Sequence, residues 1–285
     1  MEKKSDFLIK NKVLVRYIGQ DTCVTIPKGV VEIGKRAFCY NKIISSVIIP
    51  KGVTKIADFA FDTCGNLKNV NIPDGVKEIG KCAFYGCDSL TDIYIPESVT
   101  RIDAVAFRYC NNLRTINIPS EICEIKEHTF FGCTKLEAIN IPKNTKEIGE
   151  SAFELCRSLK HIDIPKYVVR INRSSFANCY KLASVNLPCG LEEISESAFI
   201  NAISLTSIRI PYGVKKIGKW ALAGCTELTS LTIPKSVIEI RDYAFGNCTG
   251  LKQIKIPKNI KIPKNAFFDM NSVDGTGLKV EIIRY

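Results

Sequence analysis

Long apolar runs are missing from this chain. No segment of its 285 residues approaches the roughly 18 uninterrupted apolar positions of a membrane-spanning helix, so no membrane insertion is expected. The opening stretch MEKKSDFLIKNK has charge but no hydrophobic stretch ahead of a small-residue cleavage site, so a secretory signal is not expected either. Histidine is scarce, with two residues, and tryptophan occurs once. Glycine-rich phosphate loops, metal-ligand motifs and basic runs interleaved with aromatics are all absent. These absences set the expectation of no metal and no cofactor, and they disfavour nucleic acid as a partner.

What is present is ordinary in amount and unusual in order. Apolar residues make up 46% and charged residues 24%, values at which disorder is not the expected state. The net charge of +11 permits attraction to anionic surfaces without choosing among them. Basic residues thicken at Lys252, Lys255, Lys258, Lys261 and Lys264, a stretch without an acid, which reads first as a solvated edge and second as an anion-binding strip.

The order is a repeat. Eleven of the twelve prolines follow an aliphatic residue at a constant step of 23 residues, from Ile26-Pro27 through Ile118-Pro119 to Ile256-Pro257. A fixed period in this range, with Leu-x-x-Ile-x-Ile written once per period, is the signature of a leucine-rich repeat solenoid. One such unit cannot bury its own apolar face, so units must stack.

With the aliphatic residue of each Ile-Pro pair as position 1, apolar residues recur at positions 5, 8, 12, 13, 16, 19 and 22. Positions 22 and 1 are two apart, the period of a strand with one face buried, so position 23 between them points outward, as does position 21. Stacked copies of this strand are expected to make one long parallel sheet. Proline at position 2 ends the strand, and Gly29, Gly52, Gly75, Gly190 and Gly213 at position 4 suit a turn. Val-x-x-Ile at positions 5 to 8 predicts a second, shorter extended run, and Ala-Phe-x-x-Cys at 12 to 16 a helical or 3₁₀ turn. The expected fold class is therefore α/β leaning to β: a right-handed coil, a parallel sheet on the concave face, and extended runs with helical turns on the convex side. Position 13 predicts an aromatic spine, and position 7 alternates in charge except at Glu124 and Glu147.

Residues 1–25 are expected to form an N-terminal β-hairpin cap, 26–255 ten 23-residue repeats, and 256–285 a degenerate repeat with a capping strand. In that last stretch Ala266-Phe267 arrives one residue early, and a loop containing Asp274-Gly275 precedes LKVEIIRY.

The unit Cys-x-x-Leu-x-x-Ile-x-Ile-Pro-x-x-Val-x-x-Ile-x-x-x-Ala-Phe-x-x-Cys resembles the BspA-like subfamily of leucine-rich repeats over about Thr25 to Asn271. The hairpin is also similar to that family's opening module. The resemblance implies a surface or secreted protein of bacterial type, adhesin-like, with a protein or glycan as ligand. The missing export signal and the many thiols point instead to a cytoplasmic location, where an assembly scaffold or polyanion-associated protein is the alternative function.

Of thirteen cysteines, eight share position 16 with Asn41 and Ala202, a slot that wants a small side chain. Their 23-residue spacing makes a column rather than a tetrahedral zinc cluster, and free thiols are expected. The candidate ligand-binding residues lie on the outward face: Asn71, Tyr94, Asn117, Asn140, Asp163, Asn186 and Arg209 at position 23, with His161 at position 21. The same column also reads as a stacked amide ladder. His161, Asp163 and Ser184 are expected to sit together, yet a flat sheet offers no strained nucleophile elbow and spends its N–H donors in the ladder, so catalysis is not expected. The chain is expected to act as a monomer.

Overall fold

The computed structural model describes residues 5–269 and 277–285, so the turn expected at Asp274-Gly275 lies outside the described residues. The chain divides into two compact units, Met1–Pro142 and Lys143–Tyr285. Each is built of stacked coils with two strips of short parallel strands, and no helix occurs among the described residues. The architecture is a β-solenoid, which corrects the expected α/β mixture.

In the first unit, Phe7–Lys10 and Val13–Tyr17 pair antiparallel. Val13–Tyr17 then pairs in parallel with Glu32–Ile33, and the sheet continues through Lys55–Ile56, Glu78–Ile79 and Arg101–Ile102. These are the positions 7 and 8 that were read as the minor extended run, and they form the longest sheet of the unit. The position 21 to 23 strands instead form two separate ladders, Cys23–Thr25 with Ser46–Ile48 and Asn69–Asn71, and Asp92–Ile93 with Thr115–Ile116. The second unit repeats this pattern. Glu147–Ile148, Arg170–Ile171, Glu193–Ile194, Lys216–Ile217 and Glu239–Ile240 form one parallel sheet. On the other strip His161–Asp163 pairs only with Ser184–Asn186, and Ser230–Thr232 pairs with Gln253–Ile256, which also takes Glu281–Arg284 in parallel. One long sheet at positions 21 to 23 is thus not what forms.

The segment at positions 11 to 16 replaces the expected helical turn, and its hydrogen bonding gives the reason. Every residue at position 11, from Arg36 to Tyr243, has φ between 52° and 64°, and every residue at position 15, from Tyr40 to Asn247, between 55° and 75°. Two left-handed residues four apart break any helix. They also turn alternate amides in opposite senses. Phe59, Phe61 and Thr63 donate to the carbonyls of Lys81, Ala83 and Tyr85 in the next coil, whereas Ala60, Asp62 and Cys64 donate three residues back within their own. The same split recurs at Trp220, Leu222 and Gly224, which donate to Asp242, Ala244 and Gly246. An α-helix would have kept these donors within one segment. Each left-handed non-glycine residue costs about 1–2 kcal/mol, offset here by a backbone bond between coils.

The aromatic spine forms as expected. In the first unit Tyr17, Phe38, Phe61, Phe84, Phe107 and Phe130 follow one another at centroid distances of 4.9–5.8 Å, with Phe84 and Phe107 within 2° of parallel. In the second, Phe153, Phe176 and Phe199 stack at 5.4 Å, Leu222 interrupts, and Phe245 meets the early Phe267 at 5.5 Å. Offset stacks of this kind add roughly 0.5–1.5 kcal/mol per pair beyond burial. On the exterior at position 11, Phe59 lies under Arg36, and Trp220 stacks on Tyr243 at 4.2 Å.

The charge column at position 7 is partly realised. Lys55 pairs with Glu78 and Arg170 with Glu193, both at 3.2 Å, and Lys216 with Glu239 at 3.9 Å. Arg101 turns instead to Asp103. These exposed pairs contribute a few tenths of a kcal/mol each and serve chiefly to hold register.

Candidate functional site

The outward residues at positions 21 and 23 were the expected ligand surface, and the structure divides them by role. In the first unit, the Asn71 amide accepts a hydrogen bond from Ile49 N–H at 2.8 Å and donates to Ile49 C=O at 3.3 Å. Asn117 grips Ile95 in the same way, at 2.8 and 2.6 Å. Proline at position 2 has no N–H to continue the ladder, and at these rungs a side-chain amide bonds the last backbone group before it. Elsewhere a backbone carbonyl does this work: Ile26 donates to Ile48, Ile164 to Asn186 and Ile233 to Lys255. Asn71 and Asn117 are thereby committed to the fold. Tyr94, 65% exposed, and Asn140 line a shallow depression with Asp92 and Thr115 beside Asn117.

In the second unit, His161, Asp163 and Asn186 are drawn into one exposed cluster with Ser184. Parallel pairing sets His161 opposite Ser184 and Asp163 opposite Asn186. His161 Nδ1 lies 2.7 Å from Ser184 Oγ and Nε2 lies 2.9 Å from Asp163 Oδ1. Asn186 Nδ2 donates to the same carboxylate oxygen. The hydrogen bond from Asn186 holds the Asp163 carboxyl below its usual range, opposed by partial desolvation and helped by His161. With Asp163 accepting from Nε2–H, Nδ1 is left to accept from the serine hydroxyl, so a serine, a histidine and an aspartate do line up. The amides of Ser184 and Asn186 are held in the parallel ladder with His161–Asp163, and that of Val185 points in the sheet plane toward residues 206–210, so no pair of donors is aimed at an oxyanion on the outward face. The cluster satisfies itself.

Arg209 lies apart from that cluster. It is exposed in a groove with Ser207, Tyr212, Ser230, Lys235 and Tyr285. Tyr212 and Lys235 stand at position 3, just past the proline that ends the strand, and the 23-residue period places them in one column that the strand pattern does not cover. Tyr285 had no such signal, since only the pairing of Glu281–Arg284 with Gln253–Ile256 brings it in.

The cysteine column performs chemistry of a modest kind. Cys64, Cys87 and Cys110 donate S–H to the carbonyls of Phe38, Phe61 and Phe84 at 3.1–3.2 Å, one coil back. In the second unit Cys179, Cys225 and Cys248 do the same to Phe153, Phe199 and Leu222. Where the slot holds cysteine, the small side chain also serves as a weak donor, a role that Ala202 in the same slot does not fill. All thirteen cysteines are free. Burial pushes the thiols of Cys64, Cys133 and Cys248 up to about 12, which removes them from nucleophilic use. No group of three or more His, Cys, Asp or Glu side chains suited to a metal ion occurs among the described residues, and they include no helix long and apolar enough to cross a membrane.

Repeating coils, an aromatic spine and a strand face whose outward residues change from rung to rung define a leucine-rich repeat scaffold. The chain belongs to the BspA-type leucine-rich repeat family: the description "BspA type Leucine rich repeat region" matches it in six copies, over residues 20–133, 100–229 and 146–274. Among solved structures, it is similar to a leucine-rich cell surface protein of Faecalibacterium prausnitzii, at 29% identity and a TM-score of 0.54, covering 98% of this chain and 92% of that one. It also shares its fold with the pneumococcal vaccine antigen PcpA, at 19% identity and a TM-score of 0.61, covering 96% and 91%. Among curated proteins no relative matches.

Proposed function

We propose that this protein is a non-enzymatic, adhesin-like recognition scaffold that binds a protein or glycan through the outward residues of its position 21 to 23 strip. The observation that carries this reading is the contrast within each coil. Buried slots repeat their residue type, whereas outward neighbours run from Asp92 and Tyr94 to His161 and Asp163 to Ser207 and Arg209 on the same backbone frame. A fixed frame with a variable exposed face supports recognition, and conserved burial alone would not require that variety. The likeness to a bacterial cell surface protein supports the same reading. The residues offered as contacts are Tyr94, Asn140, His161, Asp163 and Arg209, with Asn186 supporting Asp163, and Asn71 and Asn117 holding the frame on which the others stand.

The test is capture on immobilised matrix proteins and glycans. Replacing Tyr94, His161 and Arg209 together by Ala is expected to abolish capture while leaving the melting curve in place, because all three are exposed. Unchanged capture would move the site off this strip. A second reading, a polyanion-associated intracellular scaffold, draws on the net charge of +11 and the free thiols. Binding to DNA or RNA that falls steeply with salt would favour it, and indifference to polyanions at about 50 mM salt would remove it.

A further inference from the structure

The groove around Arg209 is the one place on the second unit's strip where the backbone itself is open. No backbone hydrogen bond joins residues 206–210 to the coil before or after them, although both flanking segments are laddered, Ser184–Asn186 to His161–Asp163 and Ser230–Thr232 to Gln253–Ile256. The side chains of Ile208 and Ile210 are nonetheless buried, so the rung is seated in the core while its polar backbone groups face an unfilled requirement. Around this opening stand two cations, Arg209 and Lys235, three hydroxyls, Ser207, Ser230 and Thr232, and two tyrosine rings; no Asp or Glu side chain lines the groove.

The rings are presented, not packed away. Tyr212 is 75% exposed and Tyr285 is 41% exposed. Tyr285 is held by its hydroxyl, which donates to Ile233 C=O at 2.8 Å, and by its backbone N–H, which donates to Ile256. Lys235 Nζ stands 5.6 Å from its ring centroid.

Resting on the reading of this strip as a recognition surface, we propose that the Arg209 groove binds a carboxylate-bearing sugar of a glycan. Arg209 and Lys235 supply the paired cations that a carboxylate needs, the arginine through its planar fork. Tyr212 and Tyr285 offer flat apolar faces to the C–H side of a pyranose ring, the Tyr285 ring fixed by its hydroxyl bond to Ile233. Ser207, Ser230 and Thr232 supply the donors and acceptors that sugar hydroxyls require. An acidic peptide would use the cations but not the pair of presented rings. A peptide strand adding to the ladder is excluded because chain flanks the rung on both sides.

The test is calorimetric titration of the full chain at about 150 mM salt with tetragalacturonate and with sialyllactose. Methyl-esterified tetragalacturonate and a polyglutamate of equal charge serve as comparisons. One of the two acidic sugars is expected to bind, and esterification to weaken binding at least about tenfold. Arg209→Ala and Tyr212→Ala should each weaken it about tenfold, Arg209→Lys should recover part of the loss, and Lys252→Ala, a basic residue outside the groove, should change it less than about twofold. Binding of neither sugar, equal binding of polyglutamate, or indifference to Tyr212→Ala would overturn the assignment. If the sugars fail while capture of a protein or neutral glycan still depends on Tyr94 and His161, the groove assignment falls and the broader reading stands. If capture ignores every outward residue, both fall.

Discussion

Two successive repeats of the second unit carry equally polar outward faces and use them in opposite ways. At His161–Asp163 and Ser184–Asn186 the strands are laddered and the side chains bond one another, from serine to histidine to aspartate to asparagine. At 206–210 the backbone is unladdered, and Arg209 stands in a groove with no Asp or Glu among its lining residues. Both are fed by the same kind of core, since Phe176 and Phe199 stack at 5.4 Å beneath them. The period thus sets where a side chain points, and its neighbours decide whether it is spent on the protein or left for a ligand. Asn117 and Asn186 make the same point: they fill one slot of the repeat, yet the first bonds a backbone segment and the second a carboxylate.

The largest effect should come where the two regions do not differ. Phe176→Ala and Phe199→Ala are each expected to cost about 3–5 kcal/mol in denaturant unfolding, because both rings are fully buried. A cost below about 1 kcal/mol at Phe199 alone would mean that the open rung rests on a looser core. Next in size, Asn117→Ala should cost about 1–2 kcal/mol by leaving the Ile95 N–H and C=O without partners, whereas Asn186→Ala should cost less than about 0.5 kcal/mol, since Ile164 keeps the Asn186 carbonyl. Equal costs would erase the distinction between clamp and cluster.

The cysteine column gives a pH dependence of defined sign. The folded-state pKa values of Cys64, Cys133 and Cys248 are raised from 9.0 to about 12, so the folded state favours the neutral thiol. Their contribution to stability is full below about pH 9 and is lost as pH rises toward 12. Melting temperature should therefore fall across that window, and less so in a Cys64→Ala, Cys133→Ala, Cys248→Ala variant. The smallest effect belongs to Asp163. Removing its first hydrogen-bond donor with Asn186→Ala should raise the carboxyl toward its usual range, read by NMR titration, while the exposed site leaves stability nearly unchanged.

Much of this was legible because burial repeats. Phe84, Ile79, Cys87 and Ile93 recur at fixed spacing, and the structure puts each in the core. The segment from Arg36 to Asn41 and its copies was misread because Ala-Phe-x-x-Cys has helix-like apolar spacing. Apolar spacing does not report which coil receives each amide, and that split is what excludes the helix. The face was read in part. Position in the period identified Asn71, Tyr94, Asn117, Asn140, His161, Asp163, Asn186 and Arg209 as outward-facing residues of the strip, but whether an amide bonds a backbone or a carboxylate depends on distances of a few tenths of an ångström that no pattern carries. Tyr285 reaches the groove only through a strand pairing 28 residues away in sequence, Gln253 with Glu281.

Native-state hydrogen exchange over the second unit's strip tests the central claim most directly. The amides of Ser207, Ile208, Arg209 and Ile210 are expected to exchange at least about 100-fold faster than those of Asn186 and Leu231, whose N–H groups face the ladders on either side, because they have no backbone partner to protect them. Protection of residues 207–210 equal to that of Asn186 and Leu231 would show a closed ladder, and with it no open rung beneath the groove.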